Sequence, residues 1–255
     1  MRLFYLLLVI VLIGCQSTTS TAETATYTYQ SPAHHSESID RVFAAHGGYE
    51  KWSQMKTLSY LKGDESTITN LQNRKIRLES PGRTIGFDGA DVWVSPDTLA
   101  TDRIRFYHNL YFYFYSMPFV VGDPGASYED LPARILNGKS YEGVKVSYGA
   151  GVGDAPDDNY IIWYDPKTYL MEWLMYTVTY RSGEPSDSYS LIKYDGWQEV
   201  NGLLLPTFLQ WYQYDQEVVG DPRGDGAQFS EIRLSEQAPE SSLFARPDNA
   251  AIAPR

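Results

Sequence analysis

Apolar and polar positions alternate most insistently between residues 159 and 215. Four aromatic-rich runs, 159–164, 170–180, 188–194 and 203–214, are separated by turn-forming residues. Asp165-Pro166-Lys167-Thr168 joins the first two, and Asp195-Gly196 and Asn201-Gly202 bracket the last connection. β-Branched and aromatic residues bounded by Gly, Pro, Asn and Asp predict an antiparallel meander. In 203–214 one face would carry Leu203, Leu205, Leu209 and Trp211, the other Leu204, Phe208, Tyr212 and Tyr214. A sheet wet on one side alternates more cleanly than that. Something must cover the second face, either protein or ligand.

Upstream, Ile39, Val42, Phe43 and His46 recur at i, i+3, i+4 and i+7, which predicts a helix over 37–46. Ser36 or Ser38 can cap it and Gly47-Gly48 stops it. A short helical turn over 49–55 sets Tyr49 and Trp52 on one side. Strands are expected at 57–62, 65–70, 75–79, 84–87 and 91–95, with Asp88-Gly89 turning the last hairpin. Residues 102–121 break this pattern. Ile104, Tyr107, Tyr111, Phe114 and Phe119 lie near helical spacing, beside a second ridge of Phe106, Leu110, Tyr113 and Met117. Pro118 would end or kink that helix. A helix apolar on so much of its circumference must be covered on more than one side. It would be either a core plug or a lid over a hydrophobic groove. Residues 124–138 read as loop with a short helical turn, 141–148 as strand and 149–158 as loop. The polar run 220–226 also reads as loop, 228–234 as strand and 239–244 as a short helical turn before a loose end.

Composition changes the picture in two places. The 255 residues carry a formal charge of −11 and 21 tyrosines. Such acidity argues against nucleic acid and against adhesion to anionic membranes, and it suits a soluble exported chain. Cys15 is the single cysteine, so no disulfide within the chain and no cysteine metal site are expected. It ends a short start with Arg2, an apolar run over 3–13 and then Leu12-Ile13-Gly14-Cys15. That run is too short to span a bilayer and is placed as a signal peptide is. Leu-x-Gly-Cys resembles the lipobox of bacterial lipoproteins, which implies cleavage before Cys15 and its acylation. Several acyl chains make a stable anchor, each buried CH₂ contributing about 0.8 kcal/mol. Gln16 stands where aspartate would mark inner-membrane retention, so the outer membrane is the favoured address by that resemblance. The domain reading is a signal peptide over 1–14, the acylated cysteine and a flexible tether over 15–36, one domain over 37–247 and a loose tail over 248–255.

Candidate chemistry is sparse. Acid-rich stretches at 153–158 and 220–226 lack the spacing of a calcium loop, and Asp, Gly and Pro also simply make turns. His34 and His35 fall in the tether, while His46 sits near a helix end, where a cation suits the dipole. No ligand pattern joins them to His108, no nucleophile elbow is present and no Gly-rich phosphate loop occurs. Neither a metal nor a cofactor is expected, and no catalytic residue is assigned.

The run Ala44-Ala45-His46-Gly47-Gly48-Tyr49-Glu50-Lys51-Trp52, leading into the strand at 57–61, resembles the start of exported bacterial proteins of the LolA/LolB-like half-barrel superfamily. So do Phe87-Asp88-Gly89-x-x-Val92-Trp93, Tyr141-Glu142-Gly143-Val144-Lys145-Val146 and Tyr164-Asp165-Pro166-Lys167-Thr168. Tyr194-x-x-Trp197-x-x-Val200-Asn201-Gly202-Leu203-x-Leu205-Pro206 fits the next hairpin. The order of these motifs, over 39–247, carries the resemblance. It implies an α+β, mostly β fold, an open and strongly curved antiparallel sheet enclosing or covered by helices. It also implies an apolar hollow that sometimes holds acyl chains. The expected function is non-enzymatic: a lipid-anchored protein of the bacterial envelope, facing the periplasm, that binds a lipid or other hydrophobic ligand. A scaffold with a filled core is the alternative, and a hydrolase of envelope glycans or lipids ranks third. The expected lining is Phe106, Leu110, Tyr113, Phe114, Trp163, Trp173 and Trp211, the three tryptophans exposed when the helix moves aside. The expected partners are the membrane, through the anchor, and a lipid or acyl ligand.

Overall fold

A computed structural model describes residues 35–99, 102–148, 158–179, 186 and 188–254. Cys15, the signal segment and nearly all of the tether lie outside the described residues, as does most of the loop at 149–158. Helix α1 (Glu37–Ala45) is capped by Ser36, whose hydroxyl accepts from the Ile39 amide, and Gly47 and Gly48 end it at positive φ. The close approach at Gly47 requires a glycine: a Cβ there would stand 2.2 Å from the Gly202 carbonyl oxygen. Helix α2 (Tyr49–Gln54) follows directly. His35, expected in the tether, is instead part of the fold. Its ring packs edge-on to Phe43 at 5.0 Å and Tyr49 at 4.8 Å, because α1 leaves an aromatic notch beside its first turn.

The strands are β1 (Thr57–Lys62), β2 (Glu65–Asn70), β3 (Ile76–Ser80), β4 (Arg83–Phe87) and β5 (Val92–Ser95). Helix α3 (Asp102–Tyr115) interrupts them, as its spacing predicts, and ends three residues before Pro118. A 3₁₀ turn (Phe119–Gly122) leads to β6 (Ala126–Leu136), β7 (Lys139–Tyr148), β8 (Tyr160–Tyr164), β9 (Met171–Tyr176) and β10 (Ser190–Asp195). Then come β11 (Gln198–Val200), β12 (Leu203–Leu205), β13 (Phe208–Asp215), β14 (Val218–Ser235) and β15 (Ala251–Ile252). Thirteen of these form one antiparallel sheet among the described residues, in the order β15-β5-β4-β3-β2-β1-β14-β13-β10-β9-β8-β7-β6. Its two ends do not pair with each other. The fold is therefore an open half-barrel.

Three expectations are corrected. Residues 124–138 are the edge strand β6, not a loop; Pro132 fits because the ladder shifts register between Leu131 and Arg134, where its missing N–H costs no bond. Residues 220–226 belong to the 18-residue β14, which pairs through them by shifting register against β13 and by taking positive φ at Gly224 and Gly226. The end of the chain is not loose: Ala251 and Ile252 pair with Val94 and Trp93, and Ala253 is buried. In addition, the long run at 203–214 is split at Pro206, giving β12 to a small separate hairpin with β11.

Helices α1, α2 and α3 and the 3₁₀ turn at Phe119 fill one face of the sheet. Phe119 is fully buried, its ring parallel to Trp52 at 4.8 Å. From the sheet, Leu58, Tyr60, Leu78, Ile85, Val144, Ile162, Leu174 and Ile192 point into this core. The opposite face holds a second core of Leu136, Tyr141, Ile161, Trp163, Trp173, Met175 and Leu191. Register shifts in the β13–β14 hairpin bend it over that face, as bulges do. Tyr212 meets Trp173 at 5.2 Å, and Arg134 of β6 donates to the Tyr214 hydroxyl and to Glu217. Protein, then, covers the second apolar face. Gly143 makes room beneath it, since a Cβ there would lie 2.5 Å from the Trp163 ring.

Candidate functional site

The hairpin Lys62-Gly63-Asp64-Glu65 places Lys62 and Glu65 directly opposite each other at one rim of the half-barrel. Both point to the helix-bearing side, on the same parity as Leu58 and Tyr60. Glu65 is 3 % exposed, and a carboxylate so buried must be paired. Tyr107 of α3 donates to it at 2.8 Å, Arg83 of β4 donates at 3.1 Å, and the Lys62 ammonium stands 3.5 Å away. Lys62 also lies over the Tyr111 ring at 4.2 Å, and Arg83 over the Tyr107 ring at 5.3 Å. Burial, and then the neighbouring Glu65, raise the Tyr107 and Tyr111 phenols above their ordinary value, so both stay neutral. Beside this cluster opens a cavity of about 440 Å³, lined by Lys62, Asp64, Glu65, Ser80, Pro81, Gly82, Arg83, Leu99 and Tyr107.

From the cavity a line of rings runs along α3. Tyr107 meets Tyr111 at 5.7 Å, Tyr111 meets Trp211 at 6.1 Å, and Trp211 meets Phe114 at 5.9 Å. Trp211 donates its indole N–H to the Tyr176 hydroxyl at 3.1 Å. Tyr107, Leu110, Tyr111, Tyr113 and Trp211 are only half-buried. At its C-terminal end the Tyr194 hydroxyl donates to the Phe114 carbonyl at 2.6 Å, and Tyr115 is enclosed by Tyr60 and Phe229. Its N-terminal half is tied to the rim through Tyr107 and Glu65 and packs inward through the buried Ile104 and His108, the latter against Phe87 at 5.8 Å.

The structure brings together some of the expected lining residues and separates others. Phe114 and Trp211 touch, and Leu110 and Tyr113 pack on the same helix-bearing core. Phe106 is half-buried on α3. Trp163 and Trp173 lie on the opposite face, each 1 % exposed, under the bent hairpin and beneath Arg134 and Lys193. Moving α3 cannot uncover them. Glu65, Arg83, Tyr107 and Tyr176 were not read as site residues. One signal was available: a lysine and a glutamate flanking a two-residue turn must face each other across the hairpin. His46 is also corrected. It is buried and neutral rather than a cation at the helix end, because burial outweighs the dipole and pulls its pKa down to about 4.

Fold and rim together define a class: an open, helix-filled antiparallel half-barrel with a polar cavity at its mouth. The model of a family of unknown function, DUF6503, matches residues 90–199. Among curated proteins, none matches the sequence. The chain is similar to a LolA superfamily protein from Nitrosomonas europaea, with 10% identity over 74% of this chain and 87% of that one, at a TM-score of 0.46. It is also similar to a domain described as an outer membrane lipoprotein-sorting protein from Vibrio parahaemolyticus (9% identity, 76% and 93% covered, TM-score 0.39). A third similar structure is a DUF1329 family protein from Desulfovibrio piger (9% identity, 82% and 98% covered, TM-score 0.43).

Proposed function

We propose that this chain is a lipid-anchored protein of the bacterial envelope that binds a lipid or other hydrophobic ligand and catalyses no reaction. The anchor is Cys15 at the end of the apolar leader, and the outer membrane is its address. One observation carries the binding reading: α3 keeps a half-buried row of rings, Tyr107, Tyr111 and Trp211, at the mouth of an otherwise filled hollow. A row of half-buried rings beside a polar cavity suits a binding place. The ligand would lie along that row, beside α3. Of the seven lining residues, Leu110, Tyr113, Phe114, Trp211 and Phe106 stay in this proposal; Trp163 and Trp173 leave it. The test is organic extraction of the natively purified full chain, followed by mass spectrometry. A stoichiometric lipid is expected, together with binding of a fluorescent fatty-acid probe that Trp211→Ala weakens while unfolding stays cooperative. An empty extract and no probe binding would refute the proposal. The packing of α1, α2 and Phe119 in the hollow favours a second reading, a scaffold with a filled core. That reading gains if the extract is empty.

A further inference from the structure

We propose that the rim cavity at Lys62 and Arg83 seats the ligand's head group, and that this head group carries a net negative charge. The inference rests on the binding reading above and names the ligand's chemical class: an amphiphile with an anionic head and an apolar chain.

Three observations support it. First, the two cations have donors to spare. The Lys62 ammonium is held by ring faces and by a carboxylate oxygen at 3.5 Å, longer than a hydrogen bond. Arg83 gives one N–H to Glu65 and is 34% exposed toward the cavity, leaving most of its five donors for another acceptor. Second, Glu65 holds both cations in place yet cannot neutralise both. Asp64, the other acid lining the cavity, stands on the exposed turn and forms no ion pair with either cation. A fixed guanidinium beside an ammonium matches phosphate or carboxylate oxygens. Third, the cavity opens onto the start of the aromatic row. Tyr107 lines the cavity with one side of its ring and meets Tyr111 along α3 at 5.7 Å. A polar seat that passes directly into an apolar track fits a molecule with both parts, and neither part alone uses the whole surface.

The experiment is calorimetric titration of the purified full chain with short-chain phosphatidylglycerol, with phosphatidylcholine of the same chain length, and with inorganic phosphate. Phosphatidylglycerol should bind about tenfold or more tightly than phosphatidylcholine, as charge-assisted hydrogen bonds at one site allow. Arg83→Gln and Lys62→Gln should each remove most of that preference, Arg83→Lys should restore part of it, and Lys167→Gln, on a distant exposed turn, should change nothing. Inorganic phosphate should bind far more weakly than the lipid. Equal binding of the two lipids, unchanged by either substitution, would overturn the head-group seat while leaving the binding reading intact. Phosphate binding as tightly as phosphatidylglycerol would make this a free-anion site and overturn the inference. Binding of no lipid would overturn both. If Arg83→Gln fails to fold, the comparison of the two lipids on the unsubstituted chain still decides.

Discussion

His46 should make the protein lose stability in mild acid, and the size of the loss can be worked from its surroundings. The side chain is fully buried at the end of α1, Nδ1 lies 2.7 Å from the Val42 carbonyl, and the ring packs edge-on to Trp197 at 4.6 Å. Nδ1 therefore carries the proton and donates it, while Nε2 has no hydrogen-bond partner among the described residues. A second proton would bring a charge into an aromatic box. Burial pulls the pKa down to about 4, with the Val42 carbonyl pulling back. In the unfolded chain the value is about 6.5. Between these two values the unfolded chain binds more protons than the native one, so stability falls as the pH drops through that window. The loss is about 2 kcal/mol at pH ~5 and approaches about 3 kcal/mol below pH ~4. Urea unfolding at about pH 7.5 and about pH 5 measures it, with His46→Leu as the comparison. The substitution has its own fixed cost at both pH values, but the difference between them should shrink by about 2 kcal/mol. Equal losses in the two proteins would refute the buried, neutral histidine.

Two further substitutions test the packing. Arg74 donates to both carboxylate oxygens of Asp123, at 2.6 and 2.5 Å, where the side chains are 13% and 7% exposed. Arg74→Met strands that carboxylate and should cost about 3–5 kcal/mol. Burial already raises the Asp123 pKa against the pull of Arg74. A carboxyl raised in the native state favours folding when protonated, so the deficit should shrink as the pH falls through its native pKa; a deficit under about 1 kcal/mol by chemical denaturation would sink the argument. Trp173→Ala opens a cavity under Tyr212 and should cost about 3–5 kcal/mol by the same assay while leaving ligand affinity unchanged. Weaker ligand binding in a variant of unaltered stability would return Trp173 to the binding surface.

How far the sequence could be read depended on how local the deciding contact was. The hairpin β1–β2 and the helices α1 and α3 were legible because caps, glycines and periodicity act within a few residues. β6 and the middle of β14 were not, since Pro132, Pro222, Gly224 and Gly226 are loop formers until a partner strand accepts their bulges. The faces of Trp163, Trp173 and Trp211 were equally hidden. Where both faces are apolar, the pattern cannot tell one parity from the other, and a one-residue slip exchanges them. The rim cluster joins residues 62, 65, 83 and 107, and only the first two announce each other in the chain.

The bent hairpin has a mechanical consequence. Arg134 reaches Tyr214 and Glu217 across a span of five positions in the sheet order, fastening its two far strands over Trp163 and Trp173. Strands β8, β9 and β10 are thereby clamped between two dry layers, like the fixed jaw of a vice. The rim at Lys62 and Arg83, built from β1, β2 and β4, lies outside this clamp and meets α3 at Tyr107. The clamped side is set to keep its shape, so the ligand of the proposal would enter from the rim.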